Sequence, residues 1–237
     1  MLARRWFVAS LAIALIAGSL PLVRGEDSKP NTPPEGFTAL FNGKDLTGWK
    51  GLVGSPKSRA AMKTEDLAKA QEGADKQMHE HWKVEAGVLV YDGKGNSLCT
   101  MKDYADFELH VDWKIKAKGD SGIYLRGSPQ VQIWDPSDAG QKGNGADKGS
   151  GALWNNSKNP RFPLVVADNP IGEWNTFHIK MIGEKVTIHL NGKLVTDNVT
   201  MENVWEREKP IYPNGQIELQ HHGNTLNFRN VYVKELK

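Results

Sequence analysis

The stretch DFELHVDWKIK, residues 106–116, alternates apolar and polar side chains without interruption. Its apolar members all occupy odd positions: Phe107, Leu109, Val111, Trp113 and Ile115. A period of two residues is typical of a β-strand that buries one face and turns the other toward solvent. The stretch therefore predicts a strand in a sheet that packs on one side.

Shorter segments of the same kind lie on both sides of this strand, including FTALF, HWKVEAGVLVYDG, TFHIKMIG, KVTIHLNG and TLNFRNVYVKEL. Asn191 and Gly192 separate two of them and predict a tight hairpin. Many short strands with frequent turn residues favour an all-β sandwich or jelly roll, and no regular repeat suggests a propeller.

Two segments lack the alternating pattern of a short strand. Residues 58–82 are rich in Ala, Lys, Glu and Gln, so we expect a short helical insert that lies over one edge of a sheet. Residues 136–156 are rich in Gly and Asn and are too long for an ordinary hairpin loop. This second segment is either disordered or a binding loop.

The N-terminus has the order of a secretory signal. Arg4 and Arg5 precede an apolar run from Trp6 to about Leu20, and the small residue Gly25 follows. We expect residues 1–25 to be a signal peptide and the mature protein to be exported, to the periplasm or outside the cell. The Pro-rich residues 26–36 are expected to be a disordered linker, followed by one domain over residues 37–237.

Composition limits the classes of partner. The chain has 30 Lys and Arg against 28 Asp and Glu, with no basic block, which argues against nucleic acid. No membrane association is expected after the signal is cleaved. Cys99 is the only cysteine, so the chain has no intramolecular disulfide. The oligomeric state is left open.

An unusual polar face is predicted in DSGIYLRGSPQVQIWD, residues 120–135. On two expected strands, Tyr124 and Arg126 share one parity, and so do Gln132 and Trp134. Solvent-facing strands usually carry Lys, Glu and Thr. Amides and Arg bind hydroxyl groups, and Trp or Tyr stacks on a sugar ring, so this pattern favours a concave carbohydrate-binding face.

A third segment, QIELQHHG, carries polar residues of one parity at Glu218, Gln220 and His222. His221 and His222 are neighbours, so on a strand they point to opposite sides of the sheet. They could line one groove only if the strand has already ended.

Seven blocks in order resemble the bacterial 3-keto-disaccharide hydrolase family, among them GFTALFNGKDLTGW, VQIWD and GQIELQHHGNTLNFRNVYVKEL. The resemblance covers residues 37–237 and implies an all-β, concanavalin A-like lectin/glucanase jelly-roll sandwich. The family block Leu-Gln-x-His-Gly maps onto Leu219, Gln220, His222 and Gly223. Many members have Glu where this chain has Gln130, and Asn where it has Asp120.

The resemblance also implies a chemistry. A ketone at C3 of a glucoside makes the C2 proton acidic; a base removes it, the C1 substituent leaves, and water adds to the enone. In this chain His222 is the predicted base or proton shuttle, Arg126 the stabiliser of the enolate, and Asp135 a second acid or base. The predicted carbohydrate-binding residues are Tyr124, Gln132, Trp134, Trp154, Glu218 and Gln220.

Two other functions compete with this one. A non-catalytic carbohydrate-binding module would use the same aromatic and amide side chains without His222. A glucanase of related fold would need Glu-x-Asp-x-Glu on one strand, and no Glu-x-Asp occurs in the chain.

No cofactor is predicted with certainty. A divalent cation could replace or assist Arg126, and the sequence leaves this open. His79-x-His81 has no third ligand at a recognisable spacing. The shared parity of Glu108, His110 and Asp112 is read as a solvated face.

Overall fold

Antiparallel strands build most of the chain that the computed structural model describes, residues 30–128 and 130–237. The described strands are β1 (Thr38–Ala39), β2 (Trp49–Gly51), β3 (Trp82–Glu85), β4 (Val88–Tyr91), β5 (Leu98–Thr100), β6 (Phe107–Ile115), β7 (Asp120–Tyr124), β8 (Gln130–Trp134), β9 (Asn175–Ile182), β10 (Lys185–Leu190), β11 (Lys193–Thr200), β12 (Glu218–Leu219) and β13 (Leu226–Glu235). The helices are α1 (Pro56–Ala60) and α2 (Thr64–His81).

The strands form two sheets. The larger has the order β11-β10-β9-β6-β13-β4-β3, with β1 paired to β13, and the smaller has the order β2-β5-β12-β7-β8. The chain crosses between the sheets several times, for example from β6 in the larger sheet to β7 in the smaller. The prediction of an all-β jelly-roll sandwich of the concanavalin A-like type is confirmed.

The core lies between the sheets and follows the alternation of the sequence. All five odd-numbered apolar side chains of β6 are at most 3% exposed. From the smaller sheet, Ile123, Val131 and Leu219 pack in the same hydrophobic cluster. Burial of large side chains on this scale is the main force that holds two sheets together. The remaining face of the smaller sheet is therefore free for polar groups.

Helix α2 covers the edge of the smaller sheet, where the sequence predicts an insert. Ala74 packs so closely against β2 that a Cβ on Gly51 would lie 2.1 Å from the Ala74 carbonyl oxygen. The backbone N–H of Gly51 donates to Asp75, and Gln71 donates to the Gly51 carbonyl. These bonds satisfy edge groups that would otherwise be unpaired.

The predicted signal peptide, residues 1–25, lies outside the described residues, as do residues 26–29. The rest of the predicted linker, residues 30–36, is attached to the domain by hydrogen bonds. The expectation that these residues are disordered is therefore wrong. Asn31 exchanges hydrogen bonds with Asn230 of β13 and donates to the Gly87 carbonyl. Side-chain amides thus fasten this segment to the larger sheet.

Cys99 is buried in β5, and burial raises the pKa of its thiol to about 12. Within the described ranges, no helix combines the length and the apolar character that a membrane span requires.

Candidate functional site

The outer face of the smaller sheet carries polar residues in cross-strand rows. Glu218 lies opposite Tyr124 on β7 and opposite Cys99 on β5, and Tyr124 lies opposite Gln130 on β8. One row further, Gly122 pairs with Gln132, and the next pair is Asp120 with Trp134. Since residues of the other parity fill the core, these side chains project away from it.

Gln130 forms the floor of this face. Its Nε2 donates to Oε1 of Gln220 at 2.6 Å and to Oε1 of Gln132 at 2.9 Å. The side chain lies flat across β7, because a Cβ on Gly122 would lie only 2.3 Å from the Gln130 Nε2. Glycine at position 122 is thus what lets the amide cross the strand.

A carboxylate and an imidazole meet at one end of the floor. Nδ1 of His222 lies 3.6 Å from Oδ2 of Asp120, while Oδ1 of Asp120 accepts a hydrogen bond from Gln132 at 2.7 Å. Burial raises the pKa of Asp120, against the opposing effects of His222 and of the Gln132 hydrogen bond. The His222 side chain is 52% exposed, which leaves it accessible to a ligand.

These groups line a cavity of about 260 Å³, called here the Asp120 cavity. Six residues predicted from the sequence line it: Tyr124, Gln132, Trp134, Trp154, Gln220 and His222. The structure thus brings most of the predicted set together. The Gly- and Asn-rich segment, left open as disordered or binding, contributes Gln141, Asn144 and Asn155 as well as Trp154.

The aromatic wall of the Asp120 cavity is a pair of indoles. The rings of Trp134 and Trp154 meet edge to face, with centroids 5.2 Å apart. Trp134 donates to the Gly149 carbonyl and is only 2% exposed, so it supports the wall rather than offering its face. Arg161 stacks on Trp154 at 3.4 Å from the ring centroid. Trp154 is the better platform for a sugar ring.

A second cavity, about 510 Å³ and called here the Glu218 cavity, adjoins the first. Tyr124 and Gln220 line both cavities, so the two meet at these side chains. The ring of Trp205 stacks on Tyr124 with centroids 6.4 Å apart and closes one side. His221 lines this cavity, whereas His222 lines the other.

Glu218 lies in the wall of this second cavity and is 6% exposed. Burial raises the pKa of its carboxyl group to about 7, although a hydrogen bond from Ser97 and the charge of Arg59 act in the opposite direction. A carboxyl group with this pKa can donate or accept a proton near neutral pH.

Glu202 anchors the loops around both cavities. Its carboxylate accepts hydrogen bonds from the backbone N–H groups of Ser157, Lys158 and Asn159. Arg207 bridges Glu202 and the carbonyl of Asn155. The segments that bear Asn155 and Trp205 are thereby tied together.

Two predicted catalytic residues lie elsewhere. Arg126 has a φ of 54°, because β7 ends at Tyr124 and the chain turns, so strand parity no longer applies. Its guanidinium is buried, bonded to Asp106 at 2.6 Å and to the Ala105 carbonyl at 2.7 Å. The prediction that it shares a face with Tyr124 is wrong, and it lines neither cavity.

Asp135 also lies outside both cavities. Its carboxylate accepts hydrogen bonds from the backbone N–H groups of Lys118 and Ser137 and from the Ser137 hydroxyl. These bonds stabilise the turn that follows β8 and occupy both oxygen atoms. Asp135 is therefore a structural residue.

Sequence reasoning missed several lining residues. Asp120 and Gln130 have the same parities as Tyr124 and Gln132, and this signal could have found them. Trp205 and Asn155 lie on irregular segments, where no periodicity indicates direction.

Within residues 30–128 and 130–237, no three His, Cys, Asp or Glu side chains come together as a metal-binding group. Asp120 and His222 supply two ligands at most. Asp112 is engaged by Thr176 and Arg229. Of these four residue types, only Asp120 and His222 line the Asp120 cavity.

A sandwich whose outer sheet face bears an amide floor, an indole platform and acid–base groups has the features of a carbohydrate-active protein. The model of the 3-keto-alpha-glucoside-1,2-lyase-like domain matches residues 36–234. The chain therefore belongs to this family, in agreement with the resemblance seen in its sequence, and so to carbohydrate-active hydrolases in the broad sense.

Individual relatives agree with this assignment. A 3-keto-disaccharide hydrolase of Bacteroides thetaiotaomicron is 22% identical over an alignment of 259 positions, gaps included, which covers 85% of this chain and 79% of that protein. A Parabacteroides distasonis protein thought to be a glycosyl hydrolase has a crystal structure with a TM-score of 0.66 and 27% identity. That match covers 88% of this chain and all of the other. A second such protein from the same species gives a TM-score of 0.55 at 28% identity.

Proposed function

We propose that this protein cleaves 3-keto-glucosides, including 3-keto-disaccharides, by elimination and hydration and releases 3-keto-glucose. The observation that carries the proposal is the His222–Asp120 pair, 3.6 Å apart at the end of a cavity with an amide floor. A base held beside a sugar-sized, hydrogen-bonding cavity suits abstraction of a proton next to a ketone. The name of the Bacteroides relative supports the substrate class.

The first step is removal of the C2 proton by the imidazole of His222. Asp120 orients the ring and stabilises the imidazolium that forms, as a carboxylate does in a catalytic triad. Electrons from the C2–H bond move onto the C3 oxygen and give an enolate. The C1–O bond then breaks and leaves a 2-hydroxy-enone.

The enolate needs a hydrogen-bond donor, and Arg126 is too remote to serve. The Oε1 atoms of Gln132 and Gln220 and the Oδ1 atom of Asn155 all accept hydrogen bonds from Gln130. Gln132 Nε2 is already bonded to Asp120. The N–H groups of Gln220 are therefore our choice of donor to the C3 oxygen. A preorganised donor at such a position lowers the barrier through electrostatic stabilisation.

In the second step water adds to C1 of the enone. The imidazolium of His222 returns its proton to C2, which restores the ketone and gives 3-keto-glucose. No oxidant is consumed, because one water is added overall and the C3 ketone is regenerated. Trp154 would hold the apolar face of the ring during both steps.

The decisive experiment is incubation of the purified protein with 3-keto-trehalose in D₂O. The proposal expects 3-keto-glucose with deuterium at C2 and a transient enone. Product that carries no deuterium and forms without a detectable enone would contradict the elimination step. Binding with no product would instead favour the alternative function, a non-catalytic carbohydrate-binding module, which uses the same Trp154 and amides.

We also propose export, from the signal-like order of residues 1–25. Protein isolated from a native source should begin near Glu26. A native N-terminus at Met1 would contradict this.

A further inference from the structure

The Glu218 cavity has no role in the steps above, yet it opens directly beside the Asp120 cavity. The two share Tyr124 and Gln220, and the second is the larger, at about 510 Å³ against about 260 Å³. Its lining also suits a sugar. Trp205 supplies an aromatic face, and Ser55 and Asn96 supply hydroxyl and amide groups.

Glu218 lines the Glu218 cavity next to the side chains that are common to both cavities. It is paired directly across the strands with Tyr124, which places the two Cβ atoms about 5 Å apart. Gln220 is two residues further along the chain and lines the same cavity as Glu218. Both side chains that line the two cavities are therefore immediate neighbours of Glu218.

The Glu218 carboxyl group is held in place. Ser97 donates to it, and the Ser97 Oγ in turn accepts the backbone N–H of His221. The group is nearly inaccessible to bulk solvent, and burial raises its pKa to about 7. Protonated Glu218 is therefore available near neutral pH, although no step above uses it.

The departing group of a disaccharide makes such an acid useful. Breaking the C1–O bond leaves a sugar alkoxide, which is a strong base and a poor leaving group until it is protonated. His222 cannot supply that proton without losing the one it must later return to C2. A second group on the other side of the glycosidic oxygen would solve this.

We propose that the Glu218 cavity binds the leaving sugar of a 3-keto-disaccharide and that Glu218 is the general acid that protonates the glycosidic oxygen. This inference rests on the proposed function. As the C1–O bond breaks, its electron pair stays with the oxygen, which takes the proton of Glu218 and leaves as a neutral alcohol. The carboxylate regains a proton when it activates the water that adds to C1.

The test compares three substrates that differ only in the leaving group: a 3-keto-disaccharide, methyl 3-keto-glucoside and p-nitrophenyl 3-keto-glucoside. The nitrophenolate leaves without help, whereas both alkoxides need an acid. Glu218→Gln should lower kcat for the disaccharide and the methyl glucoside by ~10²–10⁴-fold. The rate of nitrophenolate release, a step that precedes hydration of the enone, should stay within a few-fold of wild type. An equal loss in the rate of leaving-group release on all three substrates would overturn the role of Glu218.

A second variant tests occupancy of the cavity. Trp205→Ala should raise KM for the disaccharide, with methyl 3-keto-glucoside unaffected because the methyl group does not reach the indole. An unchanged KM for the disaccharide would overturn the assignment of the cavity. Glu184→Gln, an exposed glutamate between β9 and β10, is the matched control and should resemble wild type. If wild-type protein turned over none of the three substrates, the proposed function itself would fail.

Discussion

His221 and His222 are neighbours in the chain, but their side chains line different cavities. His221 lines the Glu218 cavity, and His222 lines the Asp120 cavity and lies beside Asp120. The two histidines are therefore separated in function by the direction of their side chains alone. This relationship makes them natural controls for each other.

His222→Ala should reduce turnover of a 3-keto-glucoside by ~10²–10⁴-fold, because the base at C2 is lost. His221→Ala should leave methyl 3-keto-glucoside turnover near wild type, since its side chain does not reach the Asp120 cavity. Rates and melting temperatures should be measured together. An inactive His221→Ala with an active His222→Ala would reverse the assignment.

Asp120→Asn should lower kcat by ~10²-fold or more while the cavity stays intact, because the imidazole of His222 loses the carboxylate that stabilises its charged form. Asn retains an oxygen that can accept the hydrogen bond from Gln132. The exposed Asp197→Asn on β11 serves as the control. A fully active Asp120→Asn enzyme would show that the carboxylate plays no part in the proton transfer.

Arg126→Met should affect stability rather than chemistry. The guanidinium is 2% exposed and bonded to Asp106, so its removal should cost roughly 2–4 kcal/mol of unfolding free energy. Denaturant unfolding measures this cost, and kcat measured well below the melting temperature should stay near wild type. If the variant lost kcat but kept its stability, Arg126 would take part in the reaction after all.

Glu202 should make the fold sensitive to acid. Burial would raise the pKa of its carboxyl group, but hydrogen bonds from Asn159, Ser157 and Lys158 outweigh burial and lower it to about 2. A folded-state pKa below the ordinary 4.5 contributes stability above pH 4.5, which is lost as the pH falls toward about 2. The stability gap between wild type and Glu202→Gln should therefore narrow over that range. If the difference in unfolding free energy between the two proteins did not depend on pH, the hydrogen bonds to Glu202 would not lower its pKa.

Glu218 should make the fold less stable as the pH rises, whereas Glu202 makes it less stable as the pH falls. Burial raises its folded-state pKa from 4.5 to about 7, so its contribution is fully present below pH 4.5 and is lost as the pH rises through 7. The free energy of unfolding of Glu218→Gln, relative to that of wild type, should rise by up to roughly 3 kcal/mol from pH 5 to pH 8. Urea unfolding at the two pH values tests this. A constant difference would mean that the carboxyl group ionises normally.

Much of the fold could be predicted from residue alternation. The pattern of residues 106–116 indicates which side of β6 is buried, and the same logic identifies Tyr124, Gln132 and Gln220 as partners on one outer face. Because a strand places alternate side chains on opposite faces, parity specifies a face wherever the backbone is extended. It also explains why Asp120 and Gln130 belong to the site.

Parity fails where the backbone leaves the strand. Arg126 follows β7 by two residues, but its positive φ turns the side chain into a buried ion pair with Asp106. Asp135 follows β8 directly and stabilises a turn instead of lining a cavity. Arg126 was assigned to the site by extending strand parity beyond the end of β7, whereas Asp135 was assigned from the chemistry that the family resemblance implies.

The sequence by itself determined the sandwich, the polar face of one sheet and the family to which the chain belongs, since each depends on local pattern or on motif order. Only the tertiary structure decided which polar residues converge. The loops that bring Trp154 and Trp205 beside Tyr124 are positioned by long-range bonds, such as those of Glu202 to residues more than forty positions away. Contacts of that kind depend on how the chain crosses between two sheets, and no local periodicity encodes them.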